Sequence, residues 1–95
     1  MKITKIPSGF NFEPEQIDLI DKKFQRIKYV EDSLLDITVR VKLDKKYIFE
    51  CNAHFSWGTP VHVSGEDYDF EAALNGMMDV LDQKIKKEKD KAKGH

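Results

Sequence analysis

Cys51, His54 and His62 bring a thiol and two imidazoles close together in sequence, the first place to look for a nucleophile or a metal site. Cys51 and His54 differ by an odd number of positions. In an extended chain such side chains point to opposite faces, so this imidazole cannot serve this thiol as a base. Cys51 falls on the apolar face of its stretch, where a free cysteine behaves as a small hydrophobe. His54 and His62 read as cross-strand neighbours, but two histidines without a nearby ligand set make a weak metal site. Asp67, Asp69 and Glu71 suggest a cation loop. They lack the glycine and the distant glutamate of a calcium loop, and helix capping accounts for them better. Trp57, beside a turn, reads as cover for a core edge, with stacking on a base as its alternative. The expectation is a protein that is not an enzyme and has no metal, cofactor or small-molecule substrate.

The lysines carry a stronger signal. The formal net charge is -1, from 16 basic and 17 acidic residues. Residues 84–95 hold six lysines against Glu88 and Asp90, a local charge of +4, and the rest of the chain holds ten basic and fifteen acidic residues. A basic C-terminal arm on an acidic body points to an anionic partner more than the total does. Charge alone reads equally well as a solvated helix end, because lysines also favour the negative end of a helix dipole.

The elements that must position these lysines follow from periodicity. A short strand covers about Lys2 to Ile6, with Ile3 inward, and Pro7, Ser8 and Gly9 punctuate it. A helix starts near Pro14, which suits the first helical turn because its missing N–H would be unbonded there. Ile17, Ile20, Phe24 and Ile27 form its buried stripe. Lys22 and Arg26 lie on the far side, with Lys23 beside them. Leu35, Ile37, Val39, Val41 and Leu43 alternate with polar residues, as do Tyr47, Phe49, Cys51, Ala53 and Phe55. Two such runs joined at Asp44-Lys45-Lys46 read as an antiparallel hairpin. Gly58, Thr59 and Pro60 turn the chain into a fourth strand around Val61 and Val63. Asp69 caps a last helix whose stripe is Phe70, Ala73, Leu74, Met77, Leu81 and Ile85. Beyond Ile85 charge surrounds the helix, so a lysine-rich end of about residues 86–95 is expected to project from the domain.

The order is β-α-β-β-β-α. A strand–helix–strand unit favours parallel pairing through a right-handed crossover, and the next three strands form an antiparallel meander. The expected fold is α+β, a four-stranded mixed sheet with two helices on one face. The 95 residues suffice for one domain. The single cysteine excludes an intrachain disulfide and suits a reducing compartment. No stretch of Met1–Pro7 resembles a signal peptide and no run approaches a membrane span, so the expected address is the cytoplasm, away from membranes.

The two helices resemble those of the ribosome hibernation promoting factors, also called the sigma-54 modulation or ribosome-associated inhibitor family. The family enters its second helix on an acidic pair followed by Asp, Met, Tyr, Ala, Ala, Ile and Asp. Here the stretch reads Glu66-Asp67-Tyr68-Asp69-Phe70-Glu71-Ala72-Ala73-Leu74-Asn75. The family continues with an Asp-Lys-Leu step and a run of Arg, Gln, Leu and lysines. This chain has Asp79-Val80-Leu81-Asp82-Gln83-Lys84-Ile85-Lys86-Lys87-Glu88-Lys89. In the first helix, Ile20-Asp21-Lys22-Lys23-Phe24-Gln25-Arg26-Ile27 is similar to the family's pattern. Glu71 stands where the family has an aromatic residue, Val80 where it has lysine and Gln83 where it has arginine.

The resemblance covers essentially the whole chain in the same element order. It implies a short member of the family, with a fold similar to a double-stranded-RNA-binding domain. It implies that the partner is the small ribosomal subunit and its rRNA, around the decoding centre and mRNA channel, and that binding inhibits translation. Lys23, Arg26 and Lys87 carry over by position. Lys22, Lys84, Lys86 and Lys89 are added by proximity and charge. Basic side chains on rigid elements suit the phosphates and 2′-hydroxyls of folded RNA. Two other readings stand beside this one: a protein-interaction module with a basic helix, and a general double-stranded-RNA binder. The free protein is expected to be a monomer.

Overall fold

A computed structural model describes residues 1–93; Gly94 and His95, at the end of the expected basic arm, lie outside the described residues, as do the side chains from Lys91 onward. The elements are β1 (Thr4–Ser8), α1 (Pro14–Phe24), a 3₁₀ segment (Gln25–Ser33), β2 (Leu34–Asp44), β3 (Lys46–Phe55), β4 (Val61–Asp67) and α2 (Phe70–Lys93). The four strands form one sheet in the order β1-β2-β3-β4. β1 runs parallel to β2, and β2–β3 and β3–β4 are antiparallel. This is the α+β mixed sheet that the residue pattern implies.

The period-two runs build the core as expected. Ile37, Val39, Val41, Phe49, Cys51, Ala53, Phe55, Val61 and Val63 are buried on one sheet face. Ile20, Phe24, Ile27 and Val30 cover it from one side, and Phe70, Ala73, Leu74, Met77, Met78, Leu81 and Ile85 from α2. Burial pushes the Cys51 thiol up to about 12, so it stays protonated and inert at neutral pH. Trp57 stacks on Phe55 with ring centroids 4.6 Å apart. Its role is to cover the core edge.

Several local expectations change. β1 begins two residues later than expected and runs through Pro7, which the parallel edge tolerates because proline there removes only a ladder donor. Ile17 is 37% exposed, whereas Ile20 and Phe24, in the second half of α1, are buried. The chain after Phe24 continues in 3₁₀ turns broken by a kink at Ile27, whose φ of -104° and ψ of 17° are not helical, yet Ile27 remains buried. Leu35 is 69% exposed because a register shift between Leu34 and Asp36 turns it outward. Leu34 packs against the core instead, opposite Phe55. Leu19, outside the α1 stripe, also packs against the core.

Capping agrees with the sequence. The Asp69 carboxylate accepts the Ala72 N–H at 2.9 Å, and its carbonyl accepts the Ala73 N–H at 3.0 Å. At the start of α1, the Gln16 side chain accepts the Glu13 N–H at 2.8 Å. α2 has 24 residues, so it is about 36 Å long. The molecule measures 45 × 20 × 18 Å, so this helix exceeds the two shorter dimensions and lies along the long one. Among the described residues no helix is long and apolar enough to cross a membrane.

Candidate nucleic-acid interface

α1 and the 3₁₀ segment run alongside α2, and charged side chains meet across the seam. Lys23 reaches Glu71 at 3.3 Å. Arg26 donates from Nη1 to Asp79 at 2.5 Å and points Nε at Asp82, 3.5 Å away. Tyr29 donates its hydroxyl to Asp82 Oδ1 at 2.5 Å. Lys86, one turn beyond Asp82, lies 3.3 Å from its other oxygen. The Lys89 ammonium sits over the Tyr29 ring, 5.5 Å from its centroid. The ring face attracts the cation, which ties the end of α2 to the body as far as Lys89.

Asp82 is the centre of this network. It is 7% exposed, the one buried charged residue among those described. Burial pushes its carboxyl up, but the Tyr29 hydrogen bond, Lys86 and Arg26 together outweigh burial and hold it below the usual range. The hydrogen bond to Asp79 raises the Arg26 guanidinium above its ordinary value. Burial, followed by the Asp82 contact, raises the Tyr29 phenol, so it remains a donor at any physiological pH.

Asp82→Ala should therefore cost about 2 kcal/mol at neutral pH, because the Tyr29 hydroxyl and two cations lose a shared acceptor. A carboxyl held low in the folded state contributes stability above its unfolded pKa and loses it as pH falls through the folded value. Urea unfolding should separate wild type from Asp82→Ala at neutral pH and bring them together in strong acid. A gap that persists in acid would mean the carboxylate charge is not what stabilises the seam.

The seven basic residues singled out in the sequence divide into two sets. Lys23, Arg26, Lys86 and Lys89 are engaged inside the molecule. Lys22, Lys84 and Lys87 are exposed and make no ion pair among the described residues. Lys22 lies one turn before Arg26. Lys84 and Lys87 share a flank of α2 with Val80 and Gln83, and these four line a shallow groove. Spacing of three and four residues puts them on one face, turned from the Asp79–Asp82–Lys86 face. Lys22, Lys84 and Lys87 are thus rigidly mounted, solvated cations on two packed helices. That arrangement presents fixed positive charge to solvent, which is what an anionic partner would require.

Residues that sequence reasoning missed are Tyr29, Asp79 and Asp82. The i,i+4 spacing of Asp82 and Lys86 is a local signal for one ion pair. Nothing local marks Tyr29 or the seam to Arg26. The histidines do not pair with each other, lying only diagonally across β3 and β4: His54 Nδ1 lies 2.8 Å from Asp36, and His62 Nδ1 lies 2.7 Å from Asn52. The register places Asn52, not His54, opposite His62. Among the described residues no group of three His, Cys, Asp or Glu side chains is placed to hold a metal ion.

The family model for the Sigma 54 modulation protein / S30EA ribosomal protein family matches residues 7–93. The chain belongs to this family. The span matched to the S30EA family takes in both helices and all seven basic residues. The ribosome hibernation promoting factor of Klebsiella oxytoca is 32% identical over 91 residues, covering 93% of this chain and 95% of that protein. The factor of the same name from Escherichia coli strain K12 is 29% identical over 79 residues, covering 82% of each. Among solved structures, a ribosomal subunit interface protein from Coxiella burnetii has a TM-score of 0.86 at 24% identity, covering 94% of this chain and 98% of that one. At that identity the likeness is one of fold. The Thermus thermophilus Protein Y N-terminal domain has a TM-score of 0.81 at 28% identity, covering 92% of this chain and 98% of that one. The resemblance read from the two helices and the S30EA family match therefore agree.

Proposed function

We propose that this chain is a ribosome hibernation factor that binds rRNA of the small subunit near the decoding centre and mRNA channel. There it blocks tRNA and mRNA. The observation that supports this most is a set of solvated lysines, Lys22, Lys84 and Lys87, without an ion pair among the described residues, on the packed helices of an S30EA-family chain. Arg26 adds a planar fork suited to phosphate, while each lysine acts as a point charge. Inhibition of this kind is steric competition. It works by mass action, reverses on dissociation and requires no catalytic group. The protein acts in the cytoplasm and is a monomer when free. Its binding is steeply salt-dependent, because each phosphate contact releases counterions.

Competition on purified small subunits tests this. Pre-bound protein should raise the concentration of mRNA and initiator tRNA needed for half-occupancy, in proportion to its own concentration. Unchanged mRNA and tRNA binding at saturating protein would remove the blocking role.

A further inference from the structure

One flank of α2 combines cations with an uncharged floor. Val80, Gln83, Lys84 and Lys87 line a shallow groove of about 230 Å³, open to solvent. A single exposed valine is ordinary on a protein surface. Val80, 45% exposed, differs in lying in a groove that also carries two cations. A helical side chain leans over the preceding turn. For Val80 that turn carries Gly76, which has no side chain to lie against it, and the space above Gly76 is empty. The lysine stems add apolar surface to the groove while their ammonium groups stay in water. Lys84 and Lys87, three residues apart, are neighbours on the helix surface, close enough to serve consecutive phosphates of one strand. Val80 and Gln83 stand where the family pattern has lysine and arginine, so the uncharged floor is this chain's own.

Size limits the occupant. Clefts that enclose a whole small ligand have volumes of about 300–1,000 Å³. This groove is smaller and open, so it takes one part of a larger molecule. Its two cations call for an anion, and its floor calls for an uncharged surface beside the charges. Single-stranded RNA offers both, because its phosphates follow one another along the strand and its bases can splay out. In an A-form duplex the base faces are stacked, and only edges and ribose reach the surface. We propose that the groove is a subsite for one unpaired nucleotide, whose base packs on Val80 and bonds the Gln83 amide while Lys84 and Lys87 hold the flanking phosphates. The inference rests on the RNA-binding reading above and deepens it, by naming the part of the RNA that this flank of α2 contacts. The Gln83 amide has two donors and an acceptor, so it can meet a base edge. The lysines supply attraction and salt dependence. Val80 and Gln83 supply preference for unpaired RNA.

The test measures binding of the full chain to a single-stranded RNA, to a duplex of the same length and to purified small ribosomal subunits. Val80→Ala is the main variant. Val80 is exposed and alanine is the better helix former, so this variant should melt no lower than wild type. It should bind the single strand and the small subunit about fivefold more weakly, and the duplex within about twofold of wild type, from the apolar area lost. Its salt dependence should match that of wild type, since no charge is removed. Gln83→Ala should bind the single strand about threefold more weakly, from one lost hydrogen bond. Lys84→Gln, by contrast, should weaken binding to all three and make the salt slope shallower by about one. Equal losses of Val80→Ala on single strand and duplex would set Val80 against ribose or phosphate rather than a base, and would overturn the proposal. Unchanged single-strand and subunit affinity in Val80→Ala, with wild type bound to subunits, would also overturn it and leave the RNA-binding reading standing. If wild type bound neither RNA nor subunits, both would fall.

Discussion

Gly65→Ala should destabilise the protein by about 3 kcal/mol and lower its melting temperature by on the order of 15 °C, although it adds a single methyl group. The reason is how closely α2 lies on β4. A Cβ at Gly65 would stand 2.6 Å from the backbone nitrogen of Met77 and 2.8 Å from the carbonyl oxygen of Ala73. Both obstacles are main-chain atoms of a helix whose Ala73 and Met77 are buried, so no side chain can rotate aside. The helix has to move from the sheet, and with it the register of Asp79 and Asp82 against Arg26. Gly76, on the same helix, is the internal contrast. A Cβ there meets nothing within 4 Å. Gly76→Ala should stabilise the protein by about 1 kcal/mol, from helix propensity alone. Thermal unfolding of the two variants beside wild type reads both effects. Similar melting temperatures for all three would contradict the close seating of α2.

Reversing Lys22, Lys84 and Lys87 to glutamate should reduce binding to the small subunit by about a thousandfold at moderate salt, roughly tenfold per residue. The slope of log affinity against log salt should become shallower by about two to three. These side chains are exposed and make no ion pair among the described residues, so the variant should keep the melting temperature of wild type. Reversing Lys23 or Arg26 is a less direct test. Each also breaks an ion pair to α2, and lost binding would mix with a loosened seam.

Much of this architecture is legible in the residues. The alternation from Ile37 to Phe55 specifies the hairpin and its buried face, because a pleated strand sends alternate side chains to opposite sides. The stripe from Phe70 to Ile85 and the Asp69 cap specify α2 in the same way. Legibility ends where a three-dimensional relation decides. Leu35 reads as inward by alternation, but the shift beside Leu34 puts it outside, and no turn residue announces that shift. Nothing in the sequence around Gly65 marks it as the place where the backbone of α2 comes closest. For the candidate interface, the sequence marks which residues are basic. It does not mark which of them are already occupied, since that depends on the angle between two helices distant in the chain. Arg26 and Asp79 are 53 residues apart.

The most direct test of the central claim is sedimentation of the purified protein with ribosomes through a sucrose gradient, at low and at moderate salt. Wild type should travel with the small subunit or the whole ribosome, and the variant with Lys22, Lys84 and Lys87 changed to glutamate should stay at the top. Wild type that stays at the top even at low salt would contradict ribosome binding. Co-sedimentation of both proteins alike would contradict the assignment of these three lysines.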